Sequence, residues 1–268
     1  MLQYLVIALL LILVGFFLLY FRSLSKRYEL NIEAKNKELH NLNAAKDKFF
    51  SVIAHDLKTP AANIESLSET LKVRFDDLSE DEKKNCIDML VESAKTHIDL
   101  LNTLLDLSRL KLGSKQYDPE QLDIQNLANE VLEQTKLQAQ QKQIDQINQT
   151  DKCFAKADKN MITTVIRNIV VNAVKFTHSG GQVVIRAEKK DTEIIVSIAD
   201  TGIGIAETMR NRIFEVDYNK STVGTANESG TGLGLVLCKE YVIRNGGRIW
   251  FETDLDKGTT FFFTLPAL

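Results

Sequence analysis

VIRNIVVNAVKFTHSGG, residues 165–181, runs straight into QVVIRA, residues 182–187, and this junction decides the fold. The first piece closes a helix expected over 161–176, and the second opens a β-run. Asn168, Asn172 and Lys175 fall at i, i+4 and i+7, so they share one face of that helix. A solvated face is the plainest reading of three such residues standing alone. Two amide oxygens and an ammonium also suit Mg2+ and a triphosphate, because magnesium prefers oxygen ligands and keeps part of its water shell.

The same alternation continues on either side. Helix is expected over 121–141 and 233–245, and extended chain over 193–199, 248–252 and 259–264. Helices interleaved with short β-runs and glycine-rich turns indicate an α/β sandwich of about 150 residues, enough to bury its own core. Two glycine clusters punctuate it, DTGIGI at 200–205 and SGTGLGL at 229–235. Glycines let a backbone approach phosphate closely, and the second cluster leads into a helix N-terminus. Its G-x-G-x-G spacing departs from the dinucleotide-binding G-x-G-x-x-G, and the TVGTANE before it reads as loop rather than strand. No G-x-x-x-x-G-K-[ST] occurs, which removes the P-loop. Asp200 ends a β-run before glycines, a common place for a turn residue. Beside the asparagine face it becomes a candidate acceptor for an adenine amino group.

Upstream of Pro119 the pattern is helical. In FFSVIAHDLKTP, residues 49–60, His55 stands two residues from Ile53 and Leu57 and five from Phe50. At ~100° per residue its imidazole points away from that apolar face into solvent. Most lone exposed histidines are only polar surface. Here Asp56 can accept a hydrogen bond from one ring nitrogen and leave the other as a lone-pair nucleophile. Thr59 reaches the same surface spot one turn on. At Pro60 a kink is expected rather than an end.

A turn near 74–78 and Ser79 as N-cap start a second helix, with Glu80, Asp81 and Glu82 in its first turn. Ile87, Leu90, Ala94, Ile98, Leu101 and Leu105 draw one stripe along it, Ser108 breaks the register and Gly113 is a natural C-cap. A lone hairpin buries that stripe on one side only, whereas two hairpins paired into a dimeric four-helix bundle bury it fully. A monomeric hairpin covered by the next domain is the alternative.

Residues 25–48 are polar and free of Pro and Gly, with Ile32, Leu39 and Leu42 at heptad-like spacing, so a helical stalk is expected. From position 4 to 21, eighteen uncharged residues include fourteen Leu, Ile, Val or Phe. As a helix they span about 27 Å and reach across a bilayer. Arg22, Lys26 and Arg27 follow with no basic residue before them, which puts the remaining chain in the cytoplasm. Without a basic n-region or an A-x-A-like site, a cleaved signal peptide fits poorly. Three residues ahead of Tyr4 leave no expectation of an extracellular receptor domain. The 268 residues suit roughly two globular domains. Thirty-three Lys plus Arg against 36 Asp plus Glu, net −3, offer no basic field for nucleic acid. Cys86, Cys153 and Cys238 lie far apart without a C-x-x-C, so reduced thiols are expected rather than a zinc knuckle or disulfide framework.

Taken in order, FFSVIAHDLKTP resembles the phosphoacceptor box of bacterial sensor histidine kinases, and NIVVNAVKFT their N box. DTGIGI is similar to their first glycine box, IFE at 213–215 to their F box and GTGLGL to their second glycine box. The likeness runs over about residues 45–268. Joined to the apolar N-terminus, it implies a multidomain, homodimeric, single-pass protein of the inner or plasma membrane. A transmembrane anchor (1–21) and stalk (22–44) precede an antiparallel hairpin for dimerisation and phosphotransfer (45–115). An α/β sandwich of the gyrase, Hsp90 and MutL (Bergerat) type then binds ATP (116–268).

By this resemblance His55 is the phosphorylated residue, Asp56 the base or orienter of its ring, and Thr59 the group that positions water for dephosphorylating a partner. Asn172 binds Mg2+ with Asn168 assisting, Lys175 contacts phosphate and Asp200 recognises adenine. Gly202, Gly204, Gly230, Thr231, Gly232, Leu233 and Gly234 shape the lid and phosphate loop, with Phe214 and Tyr218 in the lid. After IFE the chain reads VDYNKS where the family more often has Pro, Phe and a basic residue, so Lys220 is a poor counterpart for that phosphate contact. Hydrolytic relatives place a glutamate one turn before the metal-binding asparagine. Asn168 stands there here, so transfer to His55 is expected to outrun ATP hydrolysis. The implied reaction is ATP- and Mg2+-dependent autophosphorylation of His55, then transfer to an aspartate of a response-regulator receiver domain. Competing readings are a membrane scaffold holding ATP as a structural ligand, and a net phosphatase centred on Thr59.

Overall fold

The computed structural model describes residues 2–111, 117–215, 223–226, 228 and 232–268, part of the first helix as backbone alone. Two units make up the chain, Met1–Val52 and Ile53–Leu268. In the first, which is helical, Leu13, Phe16, Phe17, Tyr20 and Phe21 are exposed. Among the described residues no helix is long and apolar enough to cross a membrane. Most side chains of the expected span, 4–21, lie outside the described residues.

Helix α1, Leu2–Arg74, passes Pro60 without interruption. It ends where Asp77 and Leu78 donate their backbone N–H groups to the Arg74 carbonyl at 3.0 and 3.1 Å. Helix α2, Glu80–Lys111, then starts on a reciprocal cap. The Glu82 N–H donates to Ser79 Oγ at 3.3 Å, and the Ser79 N–H donates to Glu82 Oε2 at 2.8 Å. Two orphan donors are thus satisfied at once. That hydrogen bonding holds the Glu82 carboxyl below its ordinary range. Along α2, Leu100 and Leu107 are buried, but Ile87, Ile98, Leu101 and Leu105 of the expected stripe remain 40–56% exposed. The following domain does not cover the stripe. It meets α2 through Leu107 and Leu110, which join its core. The expected C-cap Gly113 lies outside the described residues.

The α/β part comprises β1 (Pro119–Asp123), α3 (Ile124–Gln141), β2 (Asp145–Asn148), β3 (Phe154–Asp158) and α4 (Lys159–Phe176). After these come β4 (Gln182–Lys190), β5 (Glu193–Asp200), α5 (Glu207–Arg210), α6 (Gly234–Arg244), β6 (Ile249–Asp254) and β7 (Gly258–Pro266). Five strands form one sheet in the order β2-β4-β5-β7-β6, with β2 parallel to β4 and the other neighbours antiparallel. Strands β1 and β3 form a separate antiparallel pair. Alternate residues of the sheet, Val183 and Ile185, Val196 and Ile198, Phe261 and Phe263, are buried against α3, α4 and α6. Each such side chain contributes about 1.5–3 kcal/mol by leaving water.

Two expectations need correction. Helix was expected from residue 121, but 119–123 is strand β1, because Leu122 is buried opposite Ala155 and Asp123 caps α3 by accepting from the Asn126 N–H at 3.1 Å. Helix was expected from Leu233, but α6 starts at Gly234 with Leu233 as its N-cap. The short strands β2 and β3 and the single turn α5 were not anticipated. DQIN has no apolar alternation, and only its pairing beside β4 makes it a strand.

Candidate functional site

The site is built around α4. Its N-terminus is held by Asp158, which accepts from the Met161 N–H at 3.0 Å, and its apolar face from Met161 to Val174 is buried. On its opposite edge Asn168 and Asn172 are half-buried. Asn168 Nδ2 donates to the Gly234 carbonyl at 3.4 Å, and a Cβ at Gly234 would sit 3.6 Å from the Asn168 carboxamide. Gly234, the last glycine of the second cluster, is thereby seated against Asn168. The Asn172 side chain makes no hydrogen bond among the described residues. Lys175 is almost wholly buried, its Nζ 4.9 Å from the Phe176 ring centroid. Burial lowers its pKa, the nearby Glu228 carboxylate works the other way, and Lys142 adds to the lowering.

The first glycine cluster packs on the C-terminus of α4. The Ile203 N–H donates to the Phe176 carbonyl at 3.2 Å, and a Cβ at Gly202 would collide with that same oxygen. Asp200, at the end of β5, uses Oδ1 to accept from the Gly202 N–H at 2.8 Å and the Thr259 N–H at 3.2 Å. Its other oxygen makes no hydrogen bond among the described residues. Burial pushes the carboxyl up to about 6, against the pull of those two N–H donors. Gly258, at φ 113°, lets β7 pass so close that a Cβ there would strike the Asp200 carbonyl. Gly204 adopts φ 72° beside the Asp254 carbonyl.

Among the described residues no side chain caps α6, and its N-terminus carries the positive end of the helix dipole. Leu233 is buried and Gly232 takes φ 67°, so both shape this turn through their backbone. Phe214 packs between Phe251 and Phe261, at 6.1 and 6.4 Å between ring centroids, and anchors the F box to the core. Gly230, Thr231, Tyr218 and Lys220 lie outside the described residues, as does the side chain of His55 on α1. Nearby, Asp56 is half-buried and Thr59 exposed. Among the described residues no three His, Cys, Asp or Glu gather as a metal site. A divalent cation here would rest on amide and phosphate oxygens. The donor types fit such a cation, since Asn168 and Asn172 each offer an amide oxygen, with Asn168 held by its Nδ2 on the Gly234 carbonyl and by a hydrogen bond with the Cys238 thiol.

Thr259, Gly258, Lys142 and Glu228 also shape the site and carry no motif signal. They arrive through strand register and long-range hydrogen bonds.

Residues 45–113 match the His Kinase A (phospho-acceptor) domain, and residues 157–268 match the histidine kinase-, DNA gyrase B- and HSP90-like ATPase. Drug sensory protein A of Synechocystis sp. is 35% identical over 239 residues, 84% of this chain and 36% of that protein. Sensor protein SrrB of Staphylococcus aureus is 29% identical over 85% of this chain and 39% of its own length. The chain therefore spans about a third to two-fifths of these relatives. Among solved structures, the Acinetobacter baumannii histidine kinase AdeS superposes with a TM-score of 0.63 at 19% identity, covering 80% of this chain and 98% of that one. Histidine kinase ThkA in complex with the response regulator TrrA gives 0.60 at 23%, covering 82% of this chain and 61% of that one. With the phospho-acceptor model matching the hairpin and the ATPase model the α/β part that follows it, this chain belongs to the sensor histidine kinases.

Proposed function

We propose that the protein is a membrane-anchored sensor histidine kinase that phosphorylates His55 from ATP and passes the phosphoryl group to an aspartate of a response regulator. The observation that supports the reading is Asp200, whose Oδ1 is fixed by two backbone donors, which leaves the second oxygen to accept from an adenine amino group in the proposed complex. Asp200 and Asn172 lie in one chain with the FFSVIAHDLKTP box.

Phosphoryl transfer needs an in-line nucleophile and neutralised charge far more than covalent help. The His55 ring nitrogen bonds to the γ-phosphorus as the bond to the bridging oxygen breaks and its electron pair leaves with ADP. The ring proton passes to Asp56. Lys175 and the α6 N-terminus balance triphosphate charge. Asn172 and Asn168 would hold Mg2+ through their amide oxygens, where the ion would supply further charge neutralisation. The exposed Phe16, Phe17 and Phe21 of α1 suit a bilayer, and the exposed Ile98, Leu101 and Leu105 suit a second hairpin in a homodimer. TrrA seated on ThkA supports a receiver domain as phosphoryl acceptor. Exposed Thr59, one turn beyond His55, favours a phosphatase role toward the same regulator.

The test is incubation of the full chain in detergent micelles with γ-labelled ATP and Mg2+. Acid-labile, base-stable label is expected, absent in His55→Gln. Equal label in that variant, or none in the wild type, would falsify the kinase reading and leave the ATP-binding scaffold. Thr59→Ala is expected to keep autophosphorylation and lose dephosphorylation of the regulator.

A further inference from the structure

The C-terminus of α4 leaves the carbonyls of Val174, Lys175 and Phe176 without helical partners, and three separate segments supply them. Phe176 is taken by Ile203 of the first glycine cluster, and Lys175 by the Thr225 N–H at 3.1 Å. The third segment is the end of α3, where Lys142 follows the last helical residue. Its Nζ donates to the carbonyls of Val174 and Lys175 at 2.8 and 2.9 Å, to Thr225 Oγ1 at 2.7 Å and to Glu228 Oε1 at 2.7 Å. Three ammonium hydrogens are thus shared among four oxygens, with the side chain only 13% exposed. A cation at a helix C-terminus also complements the dipole.

Residues 224–226 and 228 belong to the segment joining the F box to the second glycine box. The Gly224 N–H donates to the Glu228 carbonyl at 2.9 Å, and the Ala226 N–H to Glu228 Oε2 at 2.8 Å. This tight loop lies on Lys175, for a Cβ at Gly224 would come within 2.6 Å of Lys175 Cγ. Burial raises the Glu228 pKa, but the hydrogen bond from Lys142 and the backbone donors outweigh it, so the carboxylate stays ionised.

We propose that Lys142 is a positioning residue for the nucleotide: by clamping Thr225 and Glu228 to the end of α4, it holds the lid flank over Lys175 and aims that ammonium at phosphate. Lys142 touches no nucleotide in this scheme and acts through Glu228, Thr225 and Lys175. The proposal rests on the ATP-binding reading of the α4 face.

The test uses the full chain in detergent micelles, with ATP affinity measured against a fluorescent ATP analogue and autophosphorylation followed across ATP concentrations. Glu228→Ala and Lys142→Met are each expected to raise Kd and KM for ATP roughly five- to tenfold, a loss near one hydrogen-bonded pair. Saturating rates should stay within about twofold, because bound ATP recloses the flank. The double variant should be no weaker than either single one, since both remove the same clamp. Lys142→Arg, which keeps the charge and donors, should recover part of the affinity. Glu228→Ala and Thr225→Val leave the α4 carbonyls paired with Lys142, so they carry the test if Lys142→Met fails to fold. ATP affinity unchanged in Glu228→Ala and Thr225→Val, or strictly additive losses in the double variant, would overturn the clamp while the ATP reading stands. A wild-type protein that binds no ATP would sink that reading and the clamp with it.

Discussion

Asp200 shows how one side chain ties recognition to pH. Its folded pKa of about 6 lies above the ordinary carboxylate value, because burial disfavours the charge. The stabilisation linked to its protonated form is therefore complete below about pH 4 and lost as pH rises through 6, on the order of 3 kcal/mol in the nucleotide-free protein. Asp200→Asn should flatten that loss and raise the melting temperature at pH 7.5 without nucleotide, as thermal unfolding across pH 4–8 would reveal. Nucleotide binding moves the opposite way. With Oδ1 committed to two N–H donors, a proton added near pH 6 falls on the other oxygen and turns an acceptor into a donor facing an amino group. ADP affinity should accordingly fall below pH 6, and Asn at 200 should weaken it at least about tenfold at pH 7.5, since donor would face donor. An ADP titration that stays flat between pH 5 and 8 would remove Asp200 from adenine recognition. Cys238, whose thiol burial pushes up to about 12, should resist thiol reagents that label half-buried Cys86.

Helices and turns carry a second set of expectations. The reciprocal Ser79–Glu82 cap should make Ser79→Ala cost about 1 kcal/mol of hairpin stability, read by urea unfolding. Gly258→Ala should cost more, since its positive φ and the Asp200 carbonyl leave no room for a methyl group. Its effect should extend to ADP affinity, because the Thr259 donor moves with it. Between the hairpin and the ATP-binding fold, Tyr241 on α6 donates its hydroxyl to Asp106 Oδ2 on α2 at 2.6 Å. Burial raises the Tyr241 pKa far above normal, and its neighbour Asp106 adds to the shift. This bond closes a packed contact with Leu107 and Leu110, so Tyr241→Phe should lower the cooperativity of unfolding between the two parts more than it lowers ADP affinity.

At the scale of the assembly, the proposed homodimer would take the exposed apolar stripe of α2 as its seam. Ile98 and Leu105, both more than half exposed in one chain, lie on that stripe and would be buried in the proposed dimer. Replacing both by Glu should convert a dimer to a monomer in analytical ultracentrifugation while ADP binding persists, because the α/β sandwich buries its own core. Loss of ADP binding in that monomer would show that the sandwich depends on the bundle.

Spacing along the chain was enough to expect α4 as a helix with Asn168 and Asn172 on one edge and alternation in β4, β5 and β7, though not the burial of Lys175. Each of these follows from periods of 3.6 or 2 acting on neighbouring residues. The five motifs, in order, were equally legible. Strands β1, β2 and β3 were not, because four or five mixed residues become a strand only when a partner supplies their hydrogen bonds. Nor could any local pattern tell that the Thr259 N–H reaches Asp200 across 59 residues, or that Lys142 meets Glu228 across 86. Those pairings depend on sheet register and on how α3 and α4 end beside each other, and packing in three dimensions is what brings such distant donors and acceptors within reach.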